Sequence, residues 1–350
     1  MKTTRNWIAR ALVIGALIAS TQAGAEVVGT GASFPSQVYS RWASAYAKKT
    51  GSAVSYRATG SGEGVKLVTA RAVGFGGTDS PLPAHELAQR KLVQLPMLVG
   101  GIVPVVNVPG VAENKLQLSG ELLADIMAGK VKSWNDARIA GANPGLNLPN
   151  LAIKRIVRAD RSGTSEGLTR YLAGASAQFK TEVGIDQQPK WPGDVERADG
   201  NDGVVKALRA NSGAIAYVSF DRAQHDNLTT VKLRNADGKW VAASEAGFRA
   251  ALAESDIARR GDDAASLIDR PGATSWPITQ ASFVLVDAEP PKSDLAASNM
   301  RFLYWCFVNG DNLTKGTGFA ALPANLQSKV AARFTQVSAQ DKKPVDYMAM

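Results

Sequence analysis

Cysteine and histidine are nearly missing from this 350-residue chain, which carries one cysteine, Cys306, and two histidines, His85 and His225. A lone cysteine closes no internal disulfide. Cys306 sits in the aromatic run Arg301-Phe302-Leu303-Tyr304-Trp305-Cys306-Phe307, where a small buried hydrophobe is expected. A nucleophilic thiol needs an activating partner, and no histidine lies near it in sequence. His85 and His225 stand far apart, with no metal-ligand spacing. A metal-dependent hydrolase is therefore not expected, and neither is any cofactor. The glycine-rich loop of nucleotide hydrolases is also missing, because Lys66 follows Gly64 at the wrong offset. Basic blocks interleaved with aromatics are absent, so the net charge of +9 is no nucleic-acid footprint. It suits an anionic ligand or an acidic surface instead. Beyond residue 25 there is no unbroken apolar run. Leu92 to Val108 is interrupted by Pro96, Gly100-Gly101 and Pro104, and it reads as two buried strand pieces rather than a membrane helix.

What is present begins with an export pattern. Lys2, Arg5 and Arg10 form a basic region, Ala11 to Ser20 is a short apolar core, and Ala23-Gly24-Ala25 offers the small residues that signal peptidase accepts. Residues 1–25 are expected to be a signal peptide cleaved after about Ala25, with the mature chain periplasmic. A chain of this length normally buries two cores. Its apolar share of 45% and charged share of 20% are those of an ordinary globular protein.

Strand-like and helix-like segments alternate, which predicts α/β layering. Three junctions share one design: a strand, a short loop rich in Gly, Ser or Thr, then an amphipathic helix. The first runs from Val27-Val28 through Gly31-Ala32-Ser33-Phe34-Pro35, with Ser33 as helix N-cap and Pro35 in the first turn; Val38, Trp42 and Tyr46 then make one apolar stripe. The second passes through Gly60-Ser61-Gly62-Glu63-Gly64. The third leads from Ile153–Val157 through Arg158-Ala159-Asp160-Arg161-Ser162-Gly163-Thr164. Gly100 to Val108 and Trp276-Pro277-Ile278 read as two crossings between domains. The expected division is a discontinuous domain of residues 26–101 with 278–350, and an inserted domain of residues 102–277. The polar stretch from Glu254 to Thr274 reads as a surface excursion.

A helix N-terminus presents unpaired amides and a partial positive charge, which is a ready anion site. One such junction is usually a plain cap; three together carry more weight. Arg158 stands where a guanidinium can grip an oxyanion, and Asp160 can lock it in place. Asp79 is a turn former before Ser80-Pro81. If it faces the anion, it can accept a hydrogen bond only from a ligand that still carries a proton. Phosphate near neutral pH does and sulfate does not. Sites built around such a bond reject the analogue lacking it by on the order of 10⁴.

These stretches, together with Asp79-Ser80-Pro81-Leu82, Gly200-Asn201-Asp202-Gly203-Val204 and Trp276-Pro277-Ile278-Thr279, resemble in content and order the periplasmic phosphate-binding proteins of phosphate ABC transporters. The resemblance implies a type II periplasmic-binding-protein fold: two α/β domains, two crossing hinge strands, and the ligand cleft between the domains. It implies that inorganic phosphate is bound by Ser33, Phe34, Ser61, Asp79, Arg158, Ser162, Gly163 and Thr164, with Asp160 orienting Arg158. It further implies a monomer that hands phosphate to a membrane-embedded permease and catalyses nothing. Ser33 stands where the best-known members carry Thr, Glu63 replaces a small residue, and Arg161 replaces a glycine between Asp160 and Ser162. A secreted phosphatase and a binder of another oxyanion are the alternative readings.

Overall fold

The computed structural model describes residues 27–348. The expected signal peptide lies outside them. The chain enters through β1 (Val27–Gly31), α1 (Ser36–Thr50), β2 (Val54–Ala58), α2 (Ser61–Thr69), β3 (Phe75–Thr78), α3 (Ala84–Arg90) and β4 (Leu92–Asn107). It continues through β5 (Gln117–Leu118), α4 (Gly120–Met127), α5 (Ala137–Ala142), β6 (Lys154–Arg158), α6 (Gly163–Ala175), α7 (Ala177–Glu182), β7 (Glu196–Ala198), α8 (Gly200–Ala210), β8 (Ala214–Ser219) and α9 (Phe220–His225). A later strand, Thr279–Asp287, and a long helix, Ser293–Thr314, return beside the first elements. The result is a mixed α/β architecture, the two-domain type II periplasmic-binding fold.

The sheet order is β2, β1, β3, the 279–287 strand, β4, β8, β6, β7. On one side β1 pairs in parallel with β2 and β3, and on the other β6 pairs in parallel with β8 and β7. β4 joins them. Its residues Leu92 to Gly101 pair antiparallel with the 279–287 strand, and Ile102 to Asn107 pair antiparallel with β8. The break expected inside this apolar run does not occur: β4 is one strand of 16 residues. Pro96 is tolerated because the register shifts between Ser282 and Phe283, opposite Pro96 and Leu98, which is what a residue without an N–H needs in a ladder.

The two crossing segments are tied to each other. The Ile102 amide donates to the Ile278 carbonyl at 2.8 Å, and the buried Trp276 indole donates to the Ile102 carbonyl at 2.9 Å. A Cβ on Gly101 would lie 2.2 Å from the Phe248 ring and 3.1 Å from Trp276. Phe248 cannot swing aside, since it is fully buried and edge-to-face with Phe220.

The α1 stripe behaves as its spacing predicts: Val38, Trp42 and Tyr46 are buried, and Tyr46 packs edge-to-face on Phe302 and Trp305. Cys306 is buried on the same long helix, and burial pushes its thiol well up. The 254–274 stretch is more than a surface excursion. Ile257 and Leu267 are buried anchors, and Asp263 holds Arg333 in an ion pair.

Gly101→Ala is expected to destabilise the protein by about 1–3 kcal/mol through overpacking. Gly141→Ala, in α5 with open space around its Cβ, is expected to be neutral or stabilising by up to about 1 kcal/mol. Urea unfolding of both variants checks the contrast.

Candidate functional site

Three strand-to-helix junctions converge where the two sides of the sheet meet. The first follows β1. Helix α1 begins at Ser36 with Pro35 in the cap position and no side-chain capping bond. Ser33 is therefore not the N-cap that its sequence setting suggests. Its backbone carbonyl instead accepts from Ser36 Oγ at 2.9 Å, and its own Oγ is buried without a partner among the described residues. Phe34 is fully buried and meets Phe319 edge-to-face at 5.0 Å, which fixes the loop from below.

The second junction follows β2. Gly60 is the one residue type that fits, because its φ is +95° and a Cβ would fall 2.4 Å from Asp160 Oδ2. Ser61, buried at the start of α2, ties three groups together. Its Oγ accepts from the Asp79 amide at 3.1 Å and the Gly163 amide at 3.2 Å, and it donates to Asp79 Oδ2 at 3.4 Å. Glu63, by contrast, points away and pairs with Lys66 at 3.1 Å.

The third junction follows β6. Arg158 is 1% exposed. Its Nε donates to Asp160 Oδ1 at 2.7 Å, its Nη2 donates to Asp160 Oδ2, and its amide donates to the Tyr217 phenol at 3.1 Å. Its Nη1 is buried and unpartnered among the described residues. Asp160 Oδ1 also accepts from the Gly200 amide at 3.1 Å. Arg161 does not share this pair. It lies across Gly62, whose amide donates to the Arg161 carbonyl at 3.1 Å. Ser162 caps α6 by accepting from the Ser165 amide at 3.2 Å. Beside it, Thr164 Oγ1 is buried without a partner among the described residues.

Asp79 lies at the end of β3, buried between these loops. Ser282 Oγ donates to its Oδ1 at 2.8 Å. Burial pushes its carboxyl up to about 7, against the lowering pull of Ser282, Arg158 and Ser61; Glu166 adds to the rise. Of the residues expected at the site, Ser61, Asp79 and Gly163 are directly bonded, and Arg158 acts on Asp79 electrostatically. The Ser33 carbonyl accepts from Asn201, the neighbour of Gly200, whose amide donates to Asp160.

Sequence reasoning missed several participants. Asn201, at the start of α8, donates from Nδ2 to the Ser33 carbonyl at 3.4 Å and to Ser219 Oγ at 3.1 Å. Ser282, Tyr217 and the cross-cleft pair Ser80–Glu166 were likewise unassigned. The motif around Asn201 was visible, but nothing in the spacing says which of its atoms turns inward. His85 and His225 are exposed on separate helices, away from this cluster.

Buried hydroxyls and a guanidinium edge without protein partners are costly unless a ligand accepts from them. They are gathered beside a helix N-terminus and the buried Asp79 carboxyl, between two lobes, and form a candidate site for a small polar anion. A model of the PBP superfamily domain matches residues 18–308, so the chain belongs to that superfamily. It is 37% identical over 341 residues to the phosphate-binding protein PstS of Pasteurella multocida, covering 97% of this chain and 98% of the relative. It is also 37% identical to PstS of Haemophilus influenzae, covering 88% of this chain and 92% of the relative. The chain is a member of the PstS family of phosphate-binding proteins. Two solved structures share its fold. A high affinity periplasmic phosphate-binding protein bound with phosphate has a TM-score of 0.67 at 21% identity, over 88% of this chain and 93% of that one. The phosphate-binding protein of Stenotrophomonas maltophilia has a TM-score of 0.63 at 22% identity, over the same shares.

Because Asp79 carries its proton more readily folded than unfolded, its stabilising contribution is complete below about pH 4 and is lost as pH rises through about 7. Buried Asp221, also pushed up to about 7, acts in the same direction. In phosphate-free buffer, stability is expected to fall between pH 4 and pH 8. Asp79→Asn should remove a share on the order of 4 kcal/mol of that fall, at about 1.4 kcal/mol per unit. Urea unfolding at pH 4 and pH 8 measures it; an identical fall in both proteins would contradict the assignment.

Proposed function

We propose that this chain captures inorganic phosphate outside the cytoplasm and delivers it to the membrane-embedded permease of an ABC importer. The observation that carries the reading is the pairing of buried Asp79 with donors left unsatisfied by the protein: Arg158 Nη1, Thr164 Oγ1 and Ser33 Oγ. The PstS relatives, which cover nearly the whole chain, support the same ligand.

In this reading Arg158 Nη1 donates to a phosphate oxygen while Asp160 holds the other two edges of the guanidinium. Ser33, Thr164 and Ser162 donate hydroxyl protons, and the amides of Phe34 and of the first turn of α6 supply backbone donors. Ser61 and the Gly163 amide, bonded to each other in this closed arrangement, turn to the ligand when it enters. Asp79 accepts the proton that phosphate retains. Sulfate offers no such proton and sets an acceptor against an acceptor. The domain division that supports this cleft is residues 26–101 with 278–350 around the inserted residues 102–277. β4 changes its pairing partner at Gly101–Ile102, and the return strand begins at Thr279. The protein acts as a periplasmic monomer without metal or cofactor. Among the described residues no helix is long and apolar enough to cross a membrane.

Calorimetry of ligand-stripped protein at about pH 9, where Asp79 is a carboxylate and phosphate still carries a proton, is expected to show phosphate bound more tightly than sulfate by on the order of 10⁴. Equal affinities would refute the role of Asp79. Arg158→Ala is expected to weaken phosphate binding by about 2–5 kcal/mol, as for a truncated buried charge pair. Asp79→Asn, whose amide can donate, is expected to narrow the preference over sulfate; an unchanged ratio would count against the assignment.

A further inference from the structure

Glu166 has no place in the phosphate-binding set described above, yet it makes one of the shortest polar contacts between the two lobes. It lies in the first turn of α6, where a carboxylate ordinarily serves the free amides of its own helix. Here Ser162 does that work, and the Glu166 side chain reaches elsewhere. Ser80 Oγ donates to Glu166 Oε2 at 2.5 Å, and Arg170 Nη2 donates to Glu166 Oε1 at 2.8 Å. A separation of 2.5 Å is that of a hydroxyl bonded to an ionised oxygen, which is about twice as strong as a neutral bond.

Ser80 is well placed to transmit that grip. Its amide donates to Thr78 Oγ1 at 3.1 Å, and Thr78 Oγ1 donates back to the Ser80 carbonyl at 3.0 Å. The turn is therefore fixed to the end of β3, with Asp79 held between. β3 belongs to the β1–β2 side of the sheet and α6 follows β6 on the other, so the bond spans the cleft.

A carboxylate three residues beyond Gly163 opposes an incoming anion, and Arg170 offsets that charge. The other charged groups facing it, Asp79 and Asp263, border the same cavity of about 160 Å³. Asp263 is already neutralised by Arg333. With its charge balanced, Glu166 adds no attraction for phosphate; what it adds is a hold on Ser80.

We propose that Glu166 is a positioning residue that latches Ser80 across the closed cleft and so sets how slowly bound phosphate leaves. This rests on the phosphate-capture reading and goes beyond it, because the latch touches no ligand.

Stopped-flow measurement of phosphate association and dissociation tests it, on the full-length mature protein and on Glu166→Ala, Ser80→Ala, the double variant and Glu166→Gln. Each alanine variant is expected to raise koff about tenfold, the scale of losing one charge-assisted hydrogen bond, with kon little changed. The double variant should be no faster than either single one. Glu166→Gln, whose amide oxygen still accepts but without the charge, should recover about half of the loss. An unmoved koff in Glu166→Ala, with the unaltered protein binding phosphate, would overturn the latch alone. Additive effects in the double variant would do the same. Absence of phosphate binding by the unaltered protein would instead overturn the capture reading, and the latch with it. Should Glu166→Ala not fold, Ser80→Ala and Glu166→Gln carry the same comparison.

Discussion

Ionising Asp79 where it sits, walled off from water between two lobes, is the cost around which its neighbours are arranged. Burial alone would leave it firmly protonated. Ser282 and Ser61 donate to its oxygens and Arg158 supplies a nearby positive charge, which together bring it back to about 7. Arg158 is not free to do more. Asp160 occupies two of its edges, so the guanidinium reaches Asp79 as a partly balanced charge rather than a bare one. A stronger pull would fix Asp79 as a carboxylate, and a weaker one would keep its proton. Between those limits it can take up the hydrogen of a bound anion or release its own.

That arrangement depends on how the sheet is joined. Ligands in open α/β sheets gather beyond the carboxyl ends of strands, where the strand order switches. Here Asp79 directly follows β3 and Arg158 ends β6, and the two strands belong to opposite sides of the switch carried by β4. Neither lobe contains the full set of groups. The Trp276 indole and the Ile102–Ile278 bond hold the two crossing segments in register, so the strand ends face each other across a fixed span. The Gly60 backbone passes so close to Asp160 that no side chain fits between them.

Much of this is legible in the amino-acid sequence. The four-residue spacing of Val38, Trp42 and Tyr46 gave the buried face of α1, and the three glycine- and serine-rich junctions gave the places where loops meet. Arg158 and Asp160, two residues apart at a strand end, gave the clamp. What escaped was whatever depends on side-chain direction within regular structure. Ser282 sits in an apolar strand, and whether its hydroxyl faces Asp79 or the core is a matter of register. Glu166 looks like an ordinary first-turn acid until its rotamer carries it across the cleft. Pro96 and Gly100-Gly101 read as breaks because each weakens a strand in isolation, yet pairing on both flanks keeps β4 continuous. Ser33 read as a cap because Pro35 suits a first turn, but the helix starts one residue later and leaves the hydroxyl free.

The charges around the proposed phosphate site do not add up to an attractive field. Arg158 is matched by Asp160 and Arg170 by Glu166, while Asp79 is negative or neutral. Closing such a site on a divalent anion by net charge alone would be unfavourable. Any gain must come from directional donors: the unpartnered edge of the guanidinium, the hydroxyls of Ser33 and Thr164, and the amides at the start of α6. Each is a local dipole in a place with little water, where a well-aimed donor counts for more than it would at the surface. Donors of that kind reward tetrahedral geometry rather than charge, and the proton count is left to the one acceptor among them, Asp79. In the proposed reading, that is how a site with almost no net positive charge would prefer one oxyanion over another of the same size. Balance has a second consequence. An anion held by fixed dipoles leaves as soon as they separate, so retention falls to contacts that keep the lobes together.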